Sequence, residues 1–119
     1  MILDNPLISL QAVLTAAKTT NDMDVTVDFV VWNKDGVESK PQTQRTATNG
    51  VTDVIILVAP VIAGTIYEAK RITIYNKDTA DKIVIVKTDN GTTEFIETRI
   101  SVTTLKSLVW EKPAGWYIA

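Results

Sequence analysis

The chain has 119 residues, a formal net charge of -2 and 45% hydrophobic residues, which suffices for one domain with a buried core. Acidic and basic residues are interleaved and no basic stripe is present, so we expect neither a nucleic acid nor a membrane as a partner. Cysteine and histidine are both absent, which excludes disulfides, thiolate chemistry and the residue most used for proton transfer near neutral pH. We therefore expect no enzyme activity, no catalytic or metal-binding residues and no cofactor.

The first residues are apolar and lie ahead of any strong periodic pattern. We predict that residues 1–9 form an extended arm. From Leu10 to Lys18 the apolar residues fit both a helical and an alternating spacing. Threonine and β-branched residues crowd the end of this stretch, which favours the extended form.

Short extended segments separated by turn signals fill the rest of the chain. The clearest is Asp24–Trp32, in which apolar and polar residues alternate. The turn signal Asn33–Gly36 follows, and Val37–Thr48 is polar and contains Pro41, as expected for an edge strand or an excursion from the sheet. The further predicted strands are Val51–Val58, Tyr67–Asn76, Lys82–Thr88, Thr92–Glu97, Arg99–Val102, Ser107–Trp110 and Trp116–Ile118.

Two details of these strands bear on the architecture. Lys82–Lys87 has β-branched residues on both faces, which is typical of a strand covered by two layers or pressed against another subunit. Asn90-Gly91 predicts a hairpin with a type I′ turn. Many short strands with little helix predict an all-β fold: a single-domain, jelly-roll-like β-sandwich over residues 10–119, with an extended N-terminal arm over residues 1–9.

Pairs of acidic residues are the first candidates for catalysis. Asp22 and Asp24 lie at alternating positions, and Asp24 shares a strand face with Asp28. A glycosidase needs two carboxyl groups that face each other across a sugar in unlike environments, and nothing in this spacing predicts such convergence. Acidic residues on the solvated face of a strand are the simpler interpretation.

Two turns offer oxygen atoms of the kind that bind a cation, Asn33–Gly36 and Asp78–Asp81. Neither has the ligand density of a dedicated calcium loop. Asn and Asp also form turns through their own side chains, and we favour that interpretation for both segments.

Aromatic residues concentrate near the C-terminus, where Trp110, Trp116 and Tyr117 surround a Pro-Ala-Gly segment, and Trp32 ends an earlier strand. Such side chains cap hydrophobic cores and also fill interfaces, and the pattern leaves both roles open. We take Trp32, Trp116 and Tyr117 as candidate interface residues. An exposed set of this kind also stacks on sugars, so a carbohydrate-binding or receptor-binding module is an alternative.

The apolar arm is another candidate contact element, because an unpaired apolar terminus can be lent to a neighbouring subunit. Its candidate interface residues are Ile2, Leu3, Leu7 and Ile8. The polar segment Val37–Thr48 is a further one. Removing residues 1–8 is expected to abolish binding to a larger assembly and to leave the β fold intact.

Three stretches resemble small structural proteins of tailed bacteriophages. They are Arg71–Val86, with its isoleucine-x-isoleucine-tyrosine-asparagine segment, turn and valine-rich strand; Leu105–Trp116, with its serine-leucine pair and closing glycine-tryptophan; and Leu10–Ala17. Residues 66–118 carry most of the resemblance. Thr103–Lys106 departs from it, because a proline-glycine turn is more usual there.

The resemblance implies a jelly-roll-like β-sandwich that acts as a capsid decoration or cement protein, with a neck or tail component as the alternative. The implied partners are the major capsid protein or other virion proteins, together with further copies of the chain in a dimer or trimer. Such a protein is assembled in the host cytoplasm and resides in the virion. No catalytic residues come with the resemblance.

Overall fold

Ten β-strands and no helix make up the computed structural model, which describes residues 1–119. The strands are β1 (Ile2–Leu3), β2 (Ser9–Leu14), β3 (Asp24–Trp32), β4 (Gln42–Ala47), β5 (Val54–Leu57), β6 (Ile66–Tyr75), β7 (Lys82–Asp89), β8 (Glu94–Val102), β9 (Ser107–Glu111) and β10 (Gly115–Ile118). The chain offers no helix of the length and apolar character needed to cross a membrane.

The strands form two antiparallel sheets. Sheet A has the order β10-β9-β6-β3-β4, with β1 pairing to the start of β6, and sheet B has the order β5-β2-β7-β8. The hairpin β3–β4 in sheet A is flanked along the chain by β2 and β5, which pair in sheet B. The hairpin β7–β8 in sheet B is flanked by β6 and β9, which pair in sheet A. Two hairpins folded over in this way give the predicted jelly-roll-like β-sandwich.

The core lies between the sheets because alternation along each strand turns one face inward. In β3 the side chains of Val25, Val27 and Phe29 are buried in the core, whereas Asp24 and Thr26 lie on the other face. Strands β2, β6 and β7 each contribute apolar residues in the same way. The polar side chains of sheet A are therefore left on its outer surface.

The two ends of the sandwich differ in their connections. The strands β2, β4, β6 and β8 all finish at one end, since Tyr75 lies opposite both Asp24 and Ser107 and Lys82 lies opposite Val102. The segments at this end are 15–23, 48–53, 76–81 and 103–106. The segments at the opposite end are 4–8, 33–41, 58–65, 90–93 and 112–114.

Several predicted strands are confirmed to within a residue or two. The extended interpretation of Leu10–Lys18 is confirmed over Leu10–Leu14 by β2, whereas residues 15–18 belong to the connection that follows. Thr92–Glu97 and Arg99–Val102 form a single strand, β8, because a bulge at Glu97 absorbs the break in alternation. In the bulge Thr98 and Ile96 face successive residues of β7, and Glu97 has no partner there.

The predicted type I′ turn at Asn90-Gly91 is wrong. Such a turn needs positive φ at both residues, and only Gly91 has it, at 91°. The Asn90 side chain instead accepts hydrogen bonds from the backbone N–H groups of Thr92 (3.0 Å) and Thr93 (2.7 Å). This side-chain cap gives a hairpin loop of four residues, 90–93.

Candidate interaction surfaces

The N-terminal arm is extended, but it forms part of sheet A. Strand β1 pairs with β6, and the backbone N–H of Ala69 donates to the Met1 carbonyl at 2.8 Å. The side chain of Leu3 is 1% exposed and belongs to the hydrophobic core. The arm was expected to remain unpaired until a neighbour bound it, but it already has a partner within the protomer.

The four candidate residues of the arm consequently fall into two groups. Leu3 is buried and Ile8 packs against the core, so both stabilise the protomer. Ile2 and Leu7 are exposed, Leu7 to 70%. The expected effect of deleting residues 1–8 changes accordingly, because the deletion removes a core side chain as well as two surface ones.

The candidate aromatic residues do not share one surface. Trp116 lies opposite Trp110 with the ring centroids 6.5 Å apart, and both rings pack against the core. Tyr117 is the next residue of β10 and takes the opposite face, where its hydroxyl donates to the Glu111 carboxylate and the pKa of Tyr117 is raised by that bond. Trp32 is separated from β10 by strands β9 and β6.

The Trp32 ring is held by a polar cluster on sheet A. Its Nε1 donates to Glu68 Oε1 at 3.1 Å, and the Lys70 ammonium lies 2.9 Å from the same oxygen. These hydrogen bonds, that from Lys70 first, lower the pKa of Glu68. Trp32, Trp116 and Tyr117 therefore do not form one sugar-stacking platform.

The candidate catalytic carboxylates are each engaged separately. Their partners are the Gly50 N–H for Asp22 (2.8 Å), the Lys77 ammonium for Asp24 (2.9 Å) and the Thr43 hydroxyl for Asp28 (2.8 Å). No three acidic side chains converge on one point, and no pocket is found on the molecule. These residues stabilise loops and strand pairs in the structure.

The turn at Asp78 forms the densest polar cluster of the molecule. The Asp78 carboxylate is 1% exposed and accepts hydrogen bonds from Thr19 N–H, Thr20 N–H, Thr20 Oγ1 and Thr79 N–H, each at 2.8 Å, and from Asn21 N–H at 3.2 Å. Burial raises the pKa of Asp78, but these hydrogen bonds outweigh it and hold the pKa well below its usual range. The carboxylate considered above as a cation ligand is therefore occupied by the chain's own donors. We call these five residues the Asp78 cluster.

The neighbouring residues extend this network to another connection. Asn76 donates to the carbonyls of Val102 (2.8 Å) and Ala80 (3.1 Å), and the Thr104 hydroxyl donates to the Asp78 carbonyl. Asp81 accepts the Thr104 N–H at 3.0 Å. Three connections between the sheets, 15–23, 76–81 and 103–106, are thus tied together at one end. The side chains of Asp78 and Asp81 thus bond mainly to other connections, and the side chain that forms an Asx turn here is that of Asn76, which accepts the Asp78 N–H at 2.9 Å.

Exposed apolar side chains gather at the opposite end. This surface, which we call the apolar end, consists of Leu7, Val37, Val58, Val61 and Ile62. Val61 is the most exposed of them, at 83%. Its two long loops, 33–41 and 58–65, lie against each other, since a Cβ atom added to Gly64 would be 3.3 Å from the Cβ of Lys34. The sequence signal was the apolar stretch from Val54 to Ala63. Strand β5 ends at Leu57, ahead of Pro60, and the apolar residues that follow lie in a loop.

The outer face of sheet B is also rich in apolar residues. Val13 lies opposite Ile85, and Ile55, Gln11, Lys87 and Ile96 form one row across all four strands. No third layer covers this face, although Lys82–Lys87 had suggested one or a subunit contact. The contact with another subunit stays a prediction.

Lys87 lies in the middle of this face. Its ammonium contacts Asp53 Oδ2 and Glu94 Oε1, each at 2.9 Å. Burial lowers the pKa of Lys87, but the hydrogen bonds to the two carboxylates outweigh it and raise the pKa. The lysine is thereby satisfied within an apolar surface. Sequence reasoning did not identify this arrangement, because Asp53 is 34 residues away and Glu94 meets Lys87 only across the β7–β8 hairpin.

The geometry defines an all-β sandwich with an apolar end and an apolar sheet face. Comparisons with protein-family models, curated proteins and solved structures find no match to this chain.

Proposed function

We propose that this chain is a structural protein of a phage particle, a capsid decoration or cement protein that acts through protein–protein contacts without chemistry. The observation that carries the proposal is the apolar end, where two long loops and the 4–8 turn present exposed aliphatic side chains. The partner is the major capsid protein or another virion protein. The resemblance of residues 66–118 to small phage structural proteins supports the same role.

The physical mechanism is cumulative burial. Each fully buried valine, isoleucine or leucine contributes about 1.5–3 kcal/mol, so even partial coverage of the apolar end gives useful binding. A shell displays many equivalent sites, and contacts made by an oligomer add through high effective concentration. A rigid sandwich with its loops fixed at the other end loses little conformational entropy when it binds.

Binding to shells tests the proposal. Empty capsids from the source virus are mixed with the purified chain and sedimented, and the bound copies are counted. We expect saturable binding that Val61→Asp and Ile62→Asp each weaken at least about tenfold, because a charge is forced into an apolar contact. The matched control is Val51→Asp, another exposed valine, at the other end of the sandwich.

Each outcome has a distinct meaning. Binding that Val61→Asp and Ile62→Asp leave unchanged would refute the role of the apolar end. A chain that does not bind shells but binds isolated necks or tails would be a neck or tail component. Glycan titration that quenches tryptophan fluorescence would favour a carbohydrate-binding module.

A further inference from the structure

Strand β8 is the longest unpaired edge of the molecule. It runs for nine residues and pairs only with β7, so one side of its backbone has no partner in the protomer. The other edge strand of sheet B, β5, has four residues. Strand β8 also carries Phe95 and Ile96, which are 60% and 64% exposed. An edge of this length with exposed apolar residues is a site for pairing with another strand.

The charges of β8 restrict which strand can pair there. Glu97 and Arg99 are both exposed, and neither forms an ion pair within the protomer. Charges and a bulge at a sheet edge disfavour pairing with an arbitrary strand. A partner must therefore present the opposite charges in matching register.

A second copy of β8 meets this requirement. In an antiparallel pair centred on Thr98, each Glu97 lies opposite Arg99 of the other copy, so two ion pairs form at once. The register that would instead use Glu94 is disfavoured, since Glu94 already pairs with Lys87 at 2.9 Å. The sequence of β8 is thus self-complementary about Thr98.

We propose that the chain forms a two-fold symmetric dimer through β8, with Thr98 on the symmetry axis. The two copies of sheet B become one continuous sheet of eight strands, and their apolar outer faces join side by side. The contact is isologous, as in most soluble dimers. This inference rests on β8 alone and does not depend on the proposed role in a phage particle.

Charge reversal tests the dimer with the purified chain. Light scattering is expected to give about 26 kDa, twice the 13.1 kDa of the chain. Glu97→Arg places two arginines opposite each other, and Arg99→Glu places two glutamates opposite each other. Each variant replaces two attractive pairs by two repulsive ones, and we expect the dimer dissociation constant to rise about tenfold or more.

Mixing the two variants gives the decisive measurement. In a heterodimer of the Glu97→Arg variant with the Arg99→Glu variant, the like-charged pairs of the two homodimers are absent. In the heterodimer, the new arginine at position 97 of one copy faces the new glutamate at position 99 of the other, and the unchanged Arg99 faces the unchanged Glu97. Both opposite-charge pairs are therefore restored, and equal amounts of the two variants should recover the wild-type mass.

Two controls accompany the mixing experiment. Misfolded chains cannot produce the recovery of mass, so it distinguishes a broken interface from a broken fold. Arg45→Glu on β4, an exposed arginine on the edge of sheet A, is the matched control and should leave the mass unchanged.

A cross-link tests the register. The chain has no cysteine, so Thr98→Cys introduces one thiol per copy. Residues on the axis of an antiparallel pair lie within disulfide distance, and mild oxidation should yield a covalent dimer. A wild-type chain that stays monomeric at all concentrations, or a dimer that both charge reversals leave intact, would overturn the proposal.

Discussion

Replacing Leu3 by alanine measures how much the N-terminal strand contributes to the fold. The side chain is 1% exposed in the core, and the substitution removes three carbon atoms, at about 0.8 kcal/mol each. The cavity adds little, because β1 has only two residues and can shift toward the space. We expect a loss of about 2.5 kcal/mol in the free energy of unfolding.

Urea unfolding followed by tryptophan fluorescence gives the assay. With a slope of about 1.5 kcal/mol per molar urea, the midpoint should fall by about 1.7 M. Leu7→Ala is the matched control, since the same substitution at a side chain that is 70% exposed should shift the midpoint by less than about 0.3 M. Equal midpoints for the two variants would show that Leu3 does not serve the core and would refute the reasoning.

Three further predictions concern single side chains. Asp78→Asn should lower the melting temperature, because an amide cannot accept all the N–H groups of the Asp78 cluster. Since the pKa of Asp78 is lower in the folded than in the unfolded chain, its stabilisation is present above about pH 4 and is lost as the pH falls, so the two melting curves should converge toward about pH 2. A variant with unchanged melting at neutral pH would contradict this. Leu105→Asn should raise the unfolding free energy by about 0.5–1 kcal/mol, because Leu105 has a φ of 62°, which asparagine adopts more readily, and its side chain is exposed. Destabilisation in urea would show that the leucine side chain makes an essential contact. Lys87→Met should cost less than about 1 kcal/mol in the same assay, because Asp53 and Glu94 are 41% and 48% exposed and regain water, and a larger loss would mean that the ion pairs hold sheet B together.

Local patterns predicted the strands where one face is buried and the other solvated. The alternation of Asp24–Trp32 gave β3 with its bounds, because residues two apart share a face. The same reasoning predicted two strands in place of β8, because the bulge at Glu97 changes the phase of the alternation. The alternation could not predict β1, since a strand of two residues has no period and its partner β6 is distant in sequence.

Candidate sites were predicted less well, because they depend on which distant segments meet. In the sequence Asp78 is recognisable only as a turn residue. Its carboxylate ties residues 19–21 to the β6–β7 connection because the fold brings both loops to the same end of the sandwich. The apolar residues after Pro60 were visible, but their exposure depends on how the loop crosses from sheet B to sheet A. Trp116 and Tyr117 were grouped by adjacency, although neighbouring residues of a strand face opposite ways.

The two ends of the sandwich have different roles, and the Asp78 cluster lies at the end that stabilises the fold. One end holds the sheets together through a network of hydrogen bonds among three connections, so substitutions there act on the whole fold. The loops 33–41 and 58–65 at the other end carry exposed side chains, so substitutions at those side chains act mainly on the surface. Among relatives of this chain we expect residues 19–21 and 76–81 to change slowly and residues 58–65 to change fast, so that the scaffold persists while its recognition surface follows a changing partner.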